Sequence, residues 1–322
     1  MAKRPVEIVV GSGAITEELF KQGLVNDRNM LGASALVADK NHDLVTRVLR
    51  SFMDAGATQL ATSNHQVVPG LGFTAEEIRE YTRHAGRLAV EARGLAHKEG
   101  MVQICGSMPP LMPSYRSDRT IERTEGHETY LLIGEALWPF VDAYLIESMA
   151  SVKEAKMAYE AVYHLKKPVM VSFALNSTGV ELRSGEPVLE AIEKLLDFSD
   201  RLAADNDVDN VLTALLFNCS QPEHIAQALK HIHDSEIAQE MLGGHGVAVG
   251  GYGDRISSFS TAGVLEEKLV AGAMQSALDM EIYSHFVLRW IEYGATIVGG
   301  CCAIPPKYIA HVAESVAGVE TP

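Results

Sequence analysis

Short apolar runs alternate with longer amphipathic stretches along the whole chain. The short runs are rich in β-branched residues, as in buried strands, and each precedes a segment with the apolar spacing of a helix face. We predict eight strands, at Glu7–Val10, Gln59–Thr62, Met101–Cys105, Ala143–Ile146, Val169–Phe173, Val211–Phe217, Val247–Val249 and Ala295–Val298. The intervening helices are clearest at Asp43–Ala55, Ala75–Lys98, Val152–Leu165, Val188–Ala204, Pro222–His231 and Pro305–Val316.

This alternation predicts a parallel sheet built from βαβ units. The chain has 322 residues, 47% of them hydrophobic, which is enough to bury one large core. Eight units without a low-complexity linker or a change of composition indicate a single (β/α)8 TIM barrel domain over residues 1–322. The alternative is a doubly wound open sheet, but Gly11-Ser12-Gly13 is too short to match the glycine-rich phosphate turn of that fold.

Charge and hydropathy argue against nucleic acids and membranes as partners. A formal net charge of −15 without a cluster of Lys and Arg argues against a nucleic-acid partner. The N-terminus lacks a signal-peptide apolar stretch, and no window approaches the roughly 18 apolar residues of a membrane span. We therefore expect a cytoplasmic protein with no membrane partner; a homo-oligomer is compatible with the sequence.

Four cysteines offer metal or thiol chemistry rather than a disulfide scaffold, because they are few and two of them are adjacent. Cys219 follows the sixth predicted strand, and Cys301 and Cys302 follow the eighth after two glycines that allow a tight turn. Since the carboxyl ends of barrel strands face one cavity, the three thiols are expected to converge. Three thiolates with a fourth position open are typical of a catalytic zinc site.

Two other readings of the cysteines stay open at this point. Free cysteines are often buried as small apolar residues, and Cys105 is best interpreted in that way. A disulfide between Cys219 and one of the pair is compatible with the spacing, although a reducing cytoplasm disfavours it.

The motifs around these cysteines resemble those of the homocysteine S-methyltransferase family. The resemblance rests on Asn218-Cys219 after an apolar strand and Gly299-Gly300-Cys301-Cys302 before a Pro-containing helix start. Glu147-Ser148, Val171-Ser172-Phe173 and Ser184-Gly185-Glu186-Pro187 support it. It implies a (β/α)8 barrel, a Zn²⁺ ion on the three cysteines, a homocysteine acceptor and an onium methyl donor.

The chemistry of the residues agrees with that implication. A neutral thiol is a poor nucleophile, and Zn²⁺ lowers its pKa enough to hold it as a thiolate. Attack on the methyl group of an onium donor releases a neutral leaving group, so no general acid is needed. By the family pattern Glu147 would bind the ammonium group of homocysteine, while Asn218 either contacts substrate or orients the Cys219 loop.

Several positions depart from the family pattern. Ser12-Gly13 stands where Asp-Gly is usual, which removes a carboxylate from the acceptor site, and His65 stands where an aromatic residue for the donor is expected. His65 either binds substrate or packs through hydrogen bonds. Tyr252 and Tyr115 are candidates for the missing aromatic surface, and the Trp that some members carry near Leu31 is absent. With fewer rings for cation–π contact, we predict a sulfonium donor such as S-methylmethionine rather than glycine betaine.

Two rival functions remain. The first is a methyltransferase or demethylase of the same family that acts on a different onium donor or a different thiol acceptor. The second is a non-enzymatic barrel that senses zinc or a thiol.

Overall fold

A parallel sheet of eight strands forms the centre of the protein in a computed structural model that describes residues 7–25, 27, 29–112, 121–206, 209–255 and 278–319. The strands are β1 Val9–Val10, β2 Gln59–Ala61, β3 Gln103–Met108, β4 Ala143–Met149, β5 Val169–Phe173, β6 Leu212–Asn218, β7 Ala248–Gly253 and β8 Ala295–Gly300. Neighbours in sequence pair in parallel from β2 to β8, and β1 pairs with β8.

The sheet closes between β1 and β2. Gly11 forms a parallel bridge with Gln59, and the Ser12 amide donates to the Gln59 carbonyl at 2.9 Å. The arrangement is a (β/α)8 TIM barrel, so the predicted fold class is confirmed and the open doubly wound sheet is wrong.

Helices follow the strands and cover the outside of the sheet. They are α1 Ile15–Lys21, α2 Ser34–Val37, α3 His42–Asp54, α4 Ala75–Leu95, α5 Arg123–Leu137, α6 Val152–Val162, α7 Val188–Asn206, α8 Pro222–His233, α9 Glu236–His245, α10 Met280–Glu292 and α11 Pro306–Val316. No helix among the described residues is long and apolar enough to cross a membrane.

The eight strands were predicted in place, with shifted ends. β3 begins two residues later and β4 and β8 end later than predicted, so Glu147 and the two glycines before the cysteines lie inside strands. Among the described residues, five helices were not given bounds by the sequence pattern: α1, α2, α5, α9 and α10. Glycine lowers helix propensity, and α5 contains Gly126 and Gly134. A Cβ at either would lie within 2.7 Å of a side chain of α6, so these glycines serve close helix packing.

Apolar side chains pack against both faces of the sheet. The larger apolar layer lies between sheet and helices, and the smaller fills the barrel interior with side chains from four strands, Cys105, Ala143, Leu145, Met170, Ala214 and Leu216. Cys105 is fully buried there, as expected for a packing residue, and burial raises the pKa of its thiol.

Candidate metal centre and substrate cavity

Three cysteines meet at the carboxyl end of the barrel. Cys219 directly follows β6, and Cys301 and Cys302 directly follow β8. Their sulfur atoms all lie within 4.8 Å of one another, with Cys219 and Cys301 at 2.6 Å and Cys301 and Cys302 at 3.8 Å. All three are free thiols. The convergence expected from strand positions is therefore present in the structure.

The backbone around this thiol cluster is unusual. Cys219 and Ala303 adopt left-handed conformations, with φ of 47° and 61°. Such a conformation costs a residue with a side chain on the order of 1 kcal/mol or more. Cys219 therefore leaves β6 in a backbone conformation that an unconstrained chain would avoid, and Ala303 turns the chain immediately after the cysteine pair.

The predicted role of Gly299 and Gly300 is wrong. Neither has a positive φ, and both continue β8, paired with Tyr252 and Gly253. They are needed because space is short: a Cβ on Gly299 would lie 3.0 Å from the Gly11 Cα, and one on Gly300 would lie 2.2 Å from the Ile304 side chain. The glycines allow β8 to pack closely, and the tight turn comes later, at Ala303.

Asn218 connects Cys219 to the neighbouring strands. Its Oδ1 accepts from the Ser148 amide at 3.0 Å and from the Ser172 hydroxyl at 2.7 Å. Its Nδ2 donates to the Ser148 hydroxyl at 2.8 Å and to the Cys219 sulfur at 3.3 Å. The side chain is fully buried and its hydrogen-bonding capacity is taken up within the protein. Of the two predicted roles, this geometry favours orientation of Cys219 over contact with substrate.

A cavity of about 130 Å³ opens beside the thiol cluster. All three cysteines line it, together with Ser12, Gly13, Glu147, His65 and Tyr252 from the predicted substrate site. Its size suits a small molecule. Tyr115 lies outside the described residues.

Glu147 is a buried carboxylate at the end of β4. Its Oε1 accepts a short hydrogen bond from the Ser107 hydroxyl and lies 3.2 Å from Nδ1 of His65. The structure thus places His65 against the carboxylate expected to bind the acceptor, an arrangement that the sequence did not predict. At the position where an aromatic residue for the donor was expected, His65 therefore contributes a polar side chain to the cavity wall.

Ser12 and Gly13 form the wall near β1. The Ser12 hydroxyl accepts from the Ala61 amide at 3.4 Å, and the Ser12 carbonyl accepts from the Gly300 amide at 3.1 Å. A Cβ on Gly13 would lie 2.2 Å from the Ile304 carbonyl oxygen. Gly13 therefore permits the chain after the cysteines to lie against β1.

Tyr252 extends from β7 into the barrel interior, where it packs against the inner apolar layer below the cysteines. Burial raises the pKa of its hydroxyl well above the usual range, so the residue is a neutral phenol. It supplies an aromatic ring to the base of the cavity.

Glu17 is a cavity residue that sequence reasoning missed. It lies in α1, and its Oε2 accepts from the Ala303 amide at 2.6 Å. Burial raises its pKa to about 7; the Ala303 hydrogen bond opposes that shift, Cys219 adds to it and Arg255 opposes it. The short α1 was not predicted, so no argument placed its acidic residues. The available signal was the pair Glu17 and Glu18, which begins four positions after Gly13 and so lies close to a strand's carboxyl end.

The thiol cluster fits a metal ion. Hydrogen bonding to Cys219, together with burial, raises the pKa of the Cys301 and Cys302 thiols, so their thiolates need added positive charge. Two sulfurs on one tetrahedral zinc ion lie roughly 3.8 Å apart. Cys301 and Cys302 have this separation, whereas Cys219 and Cys301, at 2.6 Å, would have to move apart to bind one ion. Within the part of the chain described, no His, Asp or Glu atom joins the three sulfurs as a fourth ligand. The group can hold a metal and leave a position for substrate.

Comparison with known proteins places this site in a family context. A family model described as homocysteine S-methyltransferase matches residues 9–316. Methionine synthase of Mycobacterium tuberculosis is 25% identical over 98% of this chain and 25% of its own length. Homocysteine S-methyltransferase 1 of Brassica oleracea is 22% identical over 96% of this chain and 93% of its own. The chain thus spans a quarter of the first relative and nearly all of the second.

Among solved structures, the homocysteine methyltransferase MmuM of Escherichia coli in its metallated form superposes with a TM-score of 0.73. The two chains are 21% identical, and the match covers 97% of this chain and 96% of the other. At this level of identity the superposition supports the barrel fold.

Proposed function

The chain belongs to the homocysteine S-methyltransferase family, as its cysteine pattern predicted, and from this we propose that it transfers a methyl group from a small onium donor to the thiol of homocysteine, giving methionine. The observation that carries the proposal is the cluster of Cys219, Cys301 and Cys302, whose three side chains line one small cavity.

We propose Zn²⁺ as the ion held by these cysteines. Three soft sulfur donors suit zinc better than harder divalent cations such as magnesium or calcium. Zinc bound there would act as a Lewis acid that keeps the acceptor thiol ionised at neutral pH. Donors from Asn218 and Ser148 lie 3.3 and 3.4 Å from the Cys219 sulfur and would fix its orientation.

Glu147 would bind the ammonium group of the acceptor. The carboxylate is buried, lines the same cavity as the cysteines and is held by Ser107. A buried carboxylate without a cationic ligand is costly, so an ammonium group placed beside it gains a charge-assisted hydrogen bond. In this position it would anchor the amino acid end of homocysteine while the thiol reaches the cysteines.

A sulfonium compound, such as S-methylmethionine or a dimethylsulfonio acid, is the proposed methyl donor. Among the described residues, Tyr252 contributes the one Phe, Tyr or Trp ring of the cavity lining. A trimethylammonium group is usually enclosed by several rings, whereas a smaller cation needs fewer. Transfer requires the acceptor sulfur, the methyl carbon and the leaving sulfur in line, which is a matter of positioning.

A second candidate is transfer between a different onium donor and a different thiol. Ser12 and His65 favour it, because they change the wall that would hold the amino acid part of homocysteine.

One experiment separates these proposals. Protein isolated under reducing conditions should contain about one zinc ion per chain, and methyl transfer to homocysteine should be measured from S-methylmethionine, dimethylsulfoniopropionate and glycine betaine. A sulfonium should give the highest kcat/KM. Metal-free protein with all thiols reduced would contradict the zinc centre. Preference for betaine would contradict the donor assignment, and transfer only to another thiol would support the second candidate.

A further inference from the structure

Among the described residues, two carboxylates line the cavity beside the cysteines. Glu147 is at the end of β4, and Glu17 lies in α1, five positions after Ser12. Both line the same cavity as the three cysteines. The family resemblance places a carboxylate at the position of Ser12, so this chain lacks one acidic group after β1 and gains another nearby.

Glu17 is held in place from the metal side of the cavity. Its Oε2 accepts from the amide of Ala303, the residue directly after the cysteine pair. Ala303 is in a left-handed conformation, which turns the chain there. The carboxylate is therefore fixed relative to Cys301 and Cys302 by one backbone hydrogen bond.

The charge of Glu17 is incompletely balanced by the protein. Within the described residues Glu17 forms no ion pair, and its Oε1 accepts no hydrogen bond. Burial and the nearby Cys219 favour its neutral form, and Arg255 favours the charged form from a distance. Glu147 differs, since its Oε1 is already shared by Ser107 and His65. A ligand cation would complete the environment of Glu17.

We propose that Glu17 is a specificity-determining residue that binds the α-ammonium group of the thiol acceptor, in place of the carboxylate missing at Ser12. The inference rests on the proposed function. It assigns the acceptor as a thiol that carries an amino group, bound between Glu17 and Glu147. Glu17 is not a candidate metal ligand, because among the described residues the ligand atoms that come together here are the sulfurs of Cys219, Cys301 and Cys302.

The test compares two ligands that differ by the ammonium group alone. Homocysteine and 4-mercaptobutanoate share the thiol, the carbon chain and the carboxylate. Dissociation constants for both should be measured by calorimetry on zinc-loaded protein. Wild type should prefer homocysteine, and Glu17→Gln should reduce that preference by roughly 10-fold or more, the equivalent of one charge-assisted hydrogen bond. Binding of 4-mercaptobutanoate should stay within about 2-fold.

Glu154→Gln is the matched control. Glu154 also has a pKa raised to about 7 by burial and also accepts from a backbone amide, that of Ala150, but it does not line the cavity. This variant should keep the wild-type preference. A second variant guards against misfolding: adding Ser12→Asp to Glu17→Gln returns a carboxylate to the cavity and should restore the preference.

The outcomes are distinct. If wild type does not bind homocysteine, the proposed acceptor is wrong and this inference falls with it. If wild type prefers homocysteine and Glu17→Gln keeps both that preference and its zinc, the inference alone is overturned. Loss of zinc in Glu17→Gln would instead assign the residue to the metal and overturn the ammonium role. Failure of Ser12→Asp to restore the preference would show that charge was not what the first variant lost.

Discussion

The two sides of the cavity differ in how closely they follow the family pattern. On the side formed by the ends of β6 and β8, the cysteine motifs match, and the glycines of β8 leave no room for a side chain. On the side formed after β1, β2 and β4, the sequence resembles the family pattern at Glu147 and departs from it at Ser12 and His65. A metal centre needs particular atoms at fixed distances, whereas an ammonium or onium group can be bound from several directions. We therefore expect the residues that bind substrate to vary more readily than the residues that bind the metal.

The largest effect is expected from substitutions of the three cysteines on the metal side of the cavity. Replacing Cys219, Cys301 or Cys302 by Ala should remove zinc and reduce methyl transfer to background, because two thiolates hold the ion poorly. Far-ultraviolet circular dichroism should stay unchanged, since the barrel has a large core. Cys105→Ala is the control, because Cys105 lies in the inner apolar layer and should leave zinc content unchanged. A variant that lost zinc but kept the full rate would refute the mechanism.

The second prediction targets the contact between the two sides. Gly13→Ala would place a Cβ 2.2 Å from the Ile304 carbonyl oxygen, which is backbone and cannot rotate away. The chain after the cysteines must then move, at a cost of about 3 kcal/mol, near the upper end for overpacking. Chemical denaturation should show this loss, and a chelator competition assay should show weaker zinc binding. Gly243→Ala is the control, because a Cβ there meets no atom within 4 Å and should be tolerated. Gly185 also has open space around it, but its φ of +86° would strain an alanine.

The sequence predicts features of the cavity that depend on strand order, and it does not predict those that depend on contacts between distant residues. The eight strands and the convergence of the cysteines could be predicted, because strand ends share one face of a barrel. The role of Gly299 and Gly300 could not, since it depends on the approach of Gly11 and Ile304, which are distant in sequence. Glu17 was missed for a related reason: its place in the cavity depends on the turn at Ala303, almost 300 positions away.

The third prediction tests the substrate side. Glu147→Gln keeps the shape of the side chain and removes its charge. Acceptor affinity should fall by roughly one to two orders of magnitude, the value of a charge-assisted hydrogen bond of about 1.5–3 kcal/mol, while zinc content stays unchanged. Calorimetric titration with homocysteine measures the acceptor affinity, and metal analysis measures the zinc content. Unchanged affinity would mean that the acceptor is anchored elsewhere or has no amino group.

The smallest effect concerns Glu154, a half-buried carboxylate outside the cavity that no ligand is expected to reach. Its pKa is raised from 4.5 to about 7 by burial, with the Ala150 amide opposing the shift. The folded protein therefore binds this proton more tightly than the unfolded chain, so the contribution to stability is full below about pH 4.5 and is lost as pH rises through 7. Glu154→Gln stays neutral and can still accept from Ala150.

The variant should therefore match wild type near pH 4.5 and exceed it at pH 8 by about 1–2 kcal/mol, less than the full shift implies because water reaches partly buried groups. Urea denaturation of both proteins at pH 5, 6, 7 and 8 measures the difference. Glu17 titrates in the same range but is present in both proteins, so its contribution cancels. A difference that does not change with pH would show that Glu154 does not titrate there, and would remove it as the matched partner of Glu17.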